Sequence, residues 1–158
     1  TQVSATSLVL NGAGLRTRAF FKVYVAALYV PKKATDAATL LSQTGPRRVA
    51  ITMLRDVDAA TFAGALNDGL KDNHTEAQLT ALKPQIDALN AAFKQVGEAK
   101  KGDIIQLDFA PDVGTRVVVN GQQRGSAMAG DAFFSALLRI WIGDKPADAG
   151  LKKGVLGG

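Results

Sequence analysis

Arg18-Ala-Phe-Phe-Lys-Val-Tyr-Val-Ala-Ala-Leu-Tyr-Val30 is dense in aromatic and β-branched residues and is stopped by Pro31, which has no N–H to give a sheet ladder. It is the strongest strand signal in the chain. A period of two puts Phe20, Lys22, Tyr24, Ala26 and Leu28 on one face and Phe21, Val23, Val25, Ala27 and Tyr29 on the other. Large apolar groups on both faces predict that both are covered somewhere along their length. Upstream, residues 6–10 read as a short β run. Asn11-Gly12-Ala13-Gly14 follows as a turn or a place of close backbone approach, and a strand resumes near Leu15.

Downstream, Thr35 or Asp36 caps a short helix through Leu41, closed by Gly45-Pro46. Across residues 47–54, Val49, Ile51 and Met53 alternate with Arg48, Ala50 and Thr52, which predicts a strand. Asp58 caps a helix to about Leu70. Thr75 with Gln78 forms a capping-box pattern ahead of Leu79, Leu82, Ile86, Leu89, Phe93 and Val96, whose spacings of three and four make one stripe. Pro84 inside that stripe predicts a kink or a boundary between two shorter helices. Gly102-Asp103 opens a strand through Phe109, residues 115–119 are β-branched, and Asn120-Gly121 is a type I′ hairpin signal into residues 122–128. Asp131 caps a helix with Phe133, Phe134, Leu137, Leu138 and Trp141 on its apolar face, ended by Gly143, and residues 151–156 form a short terminal piece. Strand-rich and helical stretches follow one another in blocks rather than in regular alternation. The expectation is an α+β fold with a largely antiparallel sheet, in one domain, as the length of 158 residues also favours.

The absence of cysteine excludes disulfides, iron–sulfur clusters, thiolate zinc sites and cysteine nucleophiles. One histidine, His74, remains for any metal site or serine triad, and it lies in the polar turn Asp72-Asn73-His74-Thr75, where an exposed histidine is expected. The net charge of +5 favours anionic partners without naming one. Basic residues are scattered with no recurring aromatic platform, so nucleic acid is not indicated. Asn11-Gly12-Ala13-Gly14-Leu15-Arg16 holds the ingredients of a phosphate cradle, but strand rather than helix follows it, so no helix N-terminus waits for a phosphate. Asp56 with Asp58, and Asp103 with Asp108, are carboxylate pairs by spacing that strand entries and helix caps explain more cheaply. Nothing demands a metal or organic cofactor, and no stretch is long and apolar enough to span a bilayer.

Arg16, Arg18 and Lys22 stand at even spacing, so on an uninterrupted strand they share a face with Phe20 and Tyr24. Cations beside aromatic rings suit an amphipathic anion, its head held by Arg and Tyr and its tail on apolar side chains. The pattern alone favours the plainer alternative, solvated charges flanking a core tyrosine. Trp141 with Phe133, Phe134 and Leu137 is helical core packing, a pocket wall, or both.

Asn11-Gly-Ala-Gly-Leu-Arg16 and Phe20-Phe-Lys-Val-Tyr-Val-Ala-Ala-Leu-Tyr-Val30 together resemble the chalcone isomerase-like family, specifically its bacterial exported branch. So do Asp58-Ala-Ala-Thr-Phe62, Lys101-Gly-Asp103, Val119-Asn-Gly121 and Phe133-Phe-Ser-Ala-Leu-Leu-Arg-Ile-Trp-Ile-Gly-Asp-Lys-Pro146. The resemblance covers nearly the whole chain, and its specificity lies in the order and spacing of these motifs. It implies a curved, mainly antiparallel sheet with helices layered on one side and a ligand cleft between them. The family includes plant enzymes that close chalcones to flavanones, plastid proteins that bind fatty acids, and bacterial members mostly without assigned activity. By the same resemblance Arg16 is the arginine that contacts the ligand anion. Tyr24 is the best match to the tyrosine that the binding members add, with Tyr29 second.

The enzymes' tyrosine, lysine and asparagine fall on Phe62, Ala65 and about Gly69, so their hydrogen-bonding set is absent here, and Asn67 substitutes only with a shift of register. The expectation is therefore a non-catalytic binding protein for a fatty acid or similar apolar carboxylate, with Arg16 and Tyr24 on the head and Phe62, Leu66, Phe133, Leu137 and Trp141 along the tail. An isomerase or lyase acting on a phenolic or enolisable substrate, and a protein-interaction module with a filled cleft, are the alternatives. The chain begins Thr1-Gln2-Val3-Ser4 without an initiator Met, which reads as a processed or trimmed product, and the exported branch implies a periplasmic or secreted protein.

Overall fold

The long β segment divides at Ala19-Phe20. A computed structural model describes residues 2–3 and 6–157, and in it β3 (Val9–Arg18) and β4 (Phe21–Val30) form a hairpin whose two-residue turn holds Ala19 at φ 55°. The Gly12-Ala13-Gly14 stretch, expected as a turn or a place of close backbone approach, runs inside β3 and is the second of these. Asn11 makes a bulge there, and Gly12, Gly14 and Arg16 pair with Leu28, Ala26 and Tyr24. Arg16 and Tyr24 thus share a face because they are cross-strand partners, and not by parity along one uninterrupted strand, which the Ala19-Phe20 turn breaks. The turn also leaves Phe20 fully exposed rather than on the Tyr24 face.

Four further strands complete the sheet: β5 (Arg47–Met53), β8 (Ile104–Ala110), β9 (Gly114–Val119) and β10 (Gln122–Met128). The order β10-β9-β8-β5-β4-β3 is antiparallel throughout. Two short pairs stand apart, β1 (Gln2–Val3) with β2 (Thr6–Ser7) and β6 (Val57–Asp58) with β7 (Glu98–Ala99). Asn120 and Gly121 turn β9 into β10 with φ 51° and 83°, as their sequence predicts.

Register aligns one continuous apolar face across the sheet: Tyr24 beside Met53, Ala26 beside Ile51 and Leu28 beside Val49, then Ile105, Leu107 and Val117. Against it lie α1 (Ala37–Ser42), α2 (Ala59–Asn73), α4 (Lys83–Val96), α5 (Asp131–Ile142) and α6 (Ala149–Val155), whose buried residues join the same core. The chain is α+β with helices on one face of an antiparallel sheet. Pro84 opens α4 in its first turn, separating it from the capping-box helix α3 (Glu76–Ala81). Among the described residues the opposite face is covered at one end, where Val3, Leu8 and Ala110 pack with Tyr29. Elsewhere it carries polar pairs such as Arg48 to Asp108, a two-bond contact at 2.6 and 2.8 Å.

Two acids differ from their expected capping roles. Asp58 stands at the N-cap of α2 without a side-chain bond, and Gly130 rather than Asp131 occupies that position on α5. Asp131 instead pairs with Nη2 of Arg47, a fully buried arginine whose guanidinium stands over the adjoining rings of Phe109 and Phe134 at 4.9 and 4.8 Å. Burial pushes the Arg47 pKa down, and the Asp131 charge opposes that.

α6 crosses β3 at backbone distance. A Cβ at Gly14 would stand 2.6 Å from Leu151 Cα, one at Gly12 would stand 2.5 Å from the Val155 carbonyl oxygen, and one at Gly154 would reach the Ala13 carbonyl. Asn11, buried at the bulge, donates from Nδ2 to the Val155 carbonyl at 2.8 Å and accepts from Ala34 N at 2.8 Å. The glycines therefore serve close helix-on-strand packing.

Because backbone lies on both sides of that seam, Gly14→Ala is expected to cost about 1–3 kcal/mol. This lowers Tm by about 2–4 °C per kcal/mol. Gly64→Ala, in mid-α2 with nothing within 4 Å of the new methyl, should raise stability by about 0.5–1 kcal/mol. Thermal unfolding of the two variants checks both signs.

Candidate functional site

Asp148 caps α6, accepting from Leu151 N at 3.0 Å with one oxygen and from Thr17 N and Oγ1, each at 3.1 Å, with the other. Burial opposes its ionised form, but the bonds from Thr17, Leu151 and Gly150 outweigh it and hold the carboxyl below the ordinary aspartate value. The preceding loop is fixed at its other end by Asn73 at the end of α2, which donates to Lys145 O and accepts from Lys145 N at 2.8 and 3.0 Å. Arg16 then closes the frame, its Nη1 donating to the Ala147 carbonyl and, at 3.4 Å, to Thr17 O. Among the described residues no protein group accepts from its Nε or Nη2.

Across the hairpin from Arg16, buried Tyr24 accepts a 3.0 Å hydrogen bond on its hydroxyl from Trp141 Nε1. That bond leaves the tyrosine its own proton to donate. Burial raises the Tyr24 pKa; the Trp141 bond and the Arg16 charge pull it down without cancelling the rise, and the Asp148 charge adds to it. The neutral ring stacks obliquely on Phe62, centroids 5.9 Å apart, and Phe62 on Phe93 at 5.3 Å.

Arg16, Tyr24, Phe62 and Leu66 border one cleft of about 620 Å³ between the hairpin, α2 and the loop into α6, a size within the usual range for small-molecule sites. Val23, Val57, Ile140 and Pro146 add apolar wall. Four basic residues (Arg16, Arg18, Arg55, Lys145) face two acidic ones (Asp68, Asp72). Phe62, Ala65 and Gly69 all line it, so the positions matched to the enzymes' polar set present a ring, a methyl and a glycine. At Gly69 even a Cβ would stand 2.8 Å from Ile140 Cγ2. Asn67 points elsewhere, donating to Ala63 O and Asn90 Oδ1 at 2.7 and 2.8 Å.

The remaining expected contacts lie outside the cleft. Tyr29 has the opposite strand parity to Tyr24 and packs on the far face with Val3 and Leu8. Phe133 and Leu137 are buried in the core beneath α5, away from the cleft walls. Trp141 is buried too and meets the site only through Tyr24. Sequence reasoning missed Arg55, Lys145 and Ile140. Ile140 sits three residues after Leu137 on the α5 stripe, which is the one signal that pointed to it. His74 is half-buried at the C-cap of α2 with Nδ1 2.8 Å from Leu70 O. The carboxylates of Asp56 and Asp103 accept from Lys101 N and Lys100 N.

The sequence profile of the chalcone isomerase-like family matches residues 1–157. Among solved structures, a fatty-acid binding protein of Arabidopsis thaliana superposes with a TM-score of 0.71 at 14% identity, over 98% of this chain and 88% of its own. No curated protein matches.

Tyr24 keeps its proton in the folded chain above the ordinary tyrosine value of 10.0, while the unfolded chain releases it there. Folding stability is therefore expected to fall as pH rises through 10.0, since the native state then binds more protons than the unfolded one. Chemical denaturation at a series of alkaline pH values should show this dependence reduced in Tyr24→Phe.

Proposed function

Because the chain belongs to the chalcone isomerase-like family, we propose that this cleft binds a fatty acid or similar apolar carboxylate without transforming it. The observation that carries the proposal is the juxtaposition of Arg16, with guanidinium donors unspent among the described residues, and the Tyr24 hydroxyl in a cleft whose apolar wall is Val23, Phe62, Leu66 and Ile140. A carboxylate accepts from both groups at once, and an alkyl tail lies on the apolar wall. Fixing Arg16 through the Ala147 carbonyl and Tyr24 through Trp141 sets the donors before the ligand arrives, which limits the ordering cost of binding. The solved fatty-acid binding neighbour agrees in ligand class.

The isomerase alternative needs polar groups to hold a phenolate and organise water, and Phe62, Ala65 and Gly69 supply none. The open cleft argues against an interaction module with a filled one. On its resemblance to the exported branch, the protein acts in the bacterial periplasm or after secretion. Fractionation of cells expressing the natural gene tests that.

A charge-assisted hydrogen bond contributes about 1.5–3 kcal/mol. Arg16→Ala should therefore weaken long-chain fatty-acid binding about 10- to 100-fold. The alcohol of equal chain length should bind parent and variant alike. Calorimetric titration gives both constants, and equal affinity of the two proteins for the acid overturns the proposal.

A further inference from the structure

The tip of the β3–β4 hairpin carries an apolar and basic cluster that no packing role absorbs. Phe20 is fully exposed and Phe21 is 58% exposed, a large apolar surface for two adjacent residues at a turn. Arg18 and Lys22 flank them, both exposed, and Arg55 lies over the Phe21 ring at 4.3 Å. The segment holding Lys100 and Lys101 reaches the same end of the sheet through Gly102 N to Met53 O, while Leu54 N bonds to Val23 O. Of the acids nearby, Asp56 is turned onto Lys101 N, Asp103 onto Lys100 N and Asn120, and Asp148 onto Thr17, while Asp68 and Asp72 stand on the α2 side of the cleft that Arg18 and Arg55 also line.

Aromatic rings ringed by Arg and Lys match the interfacial zone of a membrane, where rings sit at headgroup depth and the cations meet anionic phosphates. We propose that this tip is a docking element for an anionic bilayer surface, with Phe20 and Phe21 entering the interface and Arg18, Lys22 and Arg55 on the headgroups. Arg18, Ala19, Phe21 and Arg55 also line the cleft while Phe20 does not, so docking sets the cleft mouth against the lipid. An apolar acid then passes between bilayer and cleft without crossing water, a consequence that rests on the ligand reading above, whereas the docking itself does not.

The test is co-sedimentation of the full chain with vesicles of phosphatidylcholine alone and of phosphatidylcholine mixed with phosphatidylglycerol. The parent should bind the anionic vesicles and be released by salt, and Phe20→Asp should lower partitioning about tenfold or more, as loss of one buried phenyl group predicts. Phe20→Trp should shift its emission to the blue on anionic vesicles only, against the constant background of buried Trp141. Failure of the parent to bind anionic vesicles overturns the proposal, as does Phe20→Asp binding equally well. A concentration-dependent dimer abolished by Phe20→Asp also overturns it, in favour of a second copy on the tip. Fatty-acid binding measured in solution separates the two readings. Phe20→Asp should retain it, and a parent that binds vesicles but no acid sinks the ligand assignment and leaves docking standing.

Discussion

The close approach of α6 to β3 is the constraint on which the site depends. Only residues without a Cβ at positions 12, 14 and 154 let a helix lie directly on the outermost strand, and Asn11 then joins the two through the Val155 carbonyl. With α6 seated, its capping Asp148 is delivered to Thr17, the loop before it is spanned from Asn73 to Ala147, and Arg16 finds the carbonyl that aims it. Each polar contact is ordinary in strength. Their common origin in one steric seam is what makes them a frame.

Tyr24 belongs to the core and to the cleft at once. Its ring is packed with Phe62 beneath α2, and its oxygen accepts from the indole N–H of Trp141, which has no other hydrogen-bond partner among the described residues. A buried indole N–H left unpaired is costly, so the bond stabilises the fold while it orients the hydroxyl.

Much of this was legible in the sequence, and the misses share a cause. Alternation in β5, the Thr75 capping box, the Pro84 boundary and the Asn120-Gly121 turn are local signals, and each is realised where its residues stand. The Ala19-Phe20 turn carries no glycine, proline or asparagine, so nothing local announced it. Glycine gives the same signal for a turn and for close packing, and what decides between them at Gly12 and Gly14 is a helix at the other end of the sequence. Strand parity already separated Tyr29 from Tyr24. Phe133 and Leu137 show the deeper limit, because an apolar stripe reads alike whether it faces a core or a cleft.

The seam also orders events in time. Asn11 and Val155 are 144 positions apart, so the sheet's own hairpins are free to form long before the strand that carries Arg16 meets its helix. A contact so remote in sequence carries more loop-closure entropy than the local hairpins do. A nascent chain that has not yet delivered residues 147–155 has its sheet residues but neither the carbonyl that aims Arg16 nor the carboxylate that holds Thr17. The frame around Arg16 and Thr17 is therefore complete only once residues 147–155 are in place.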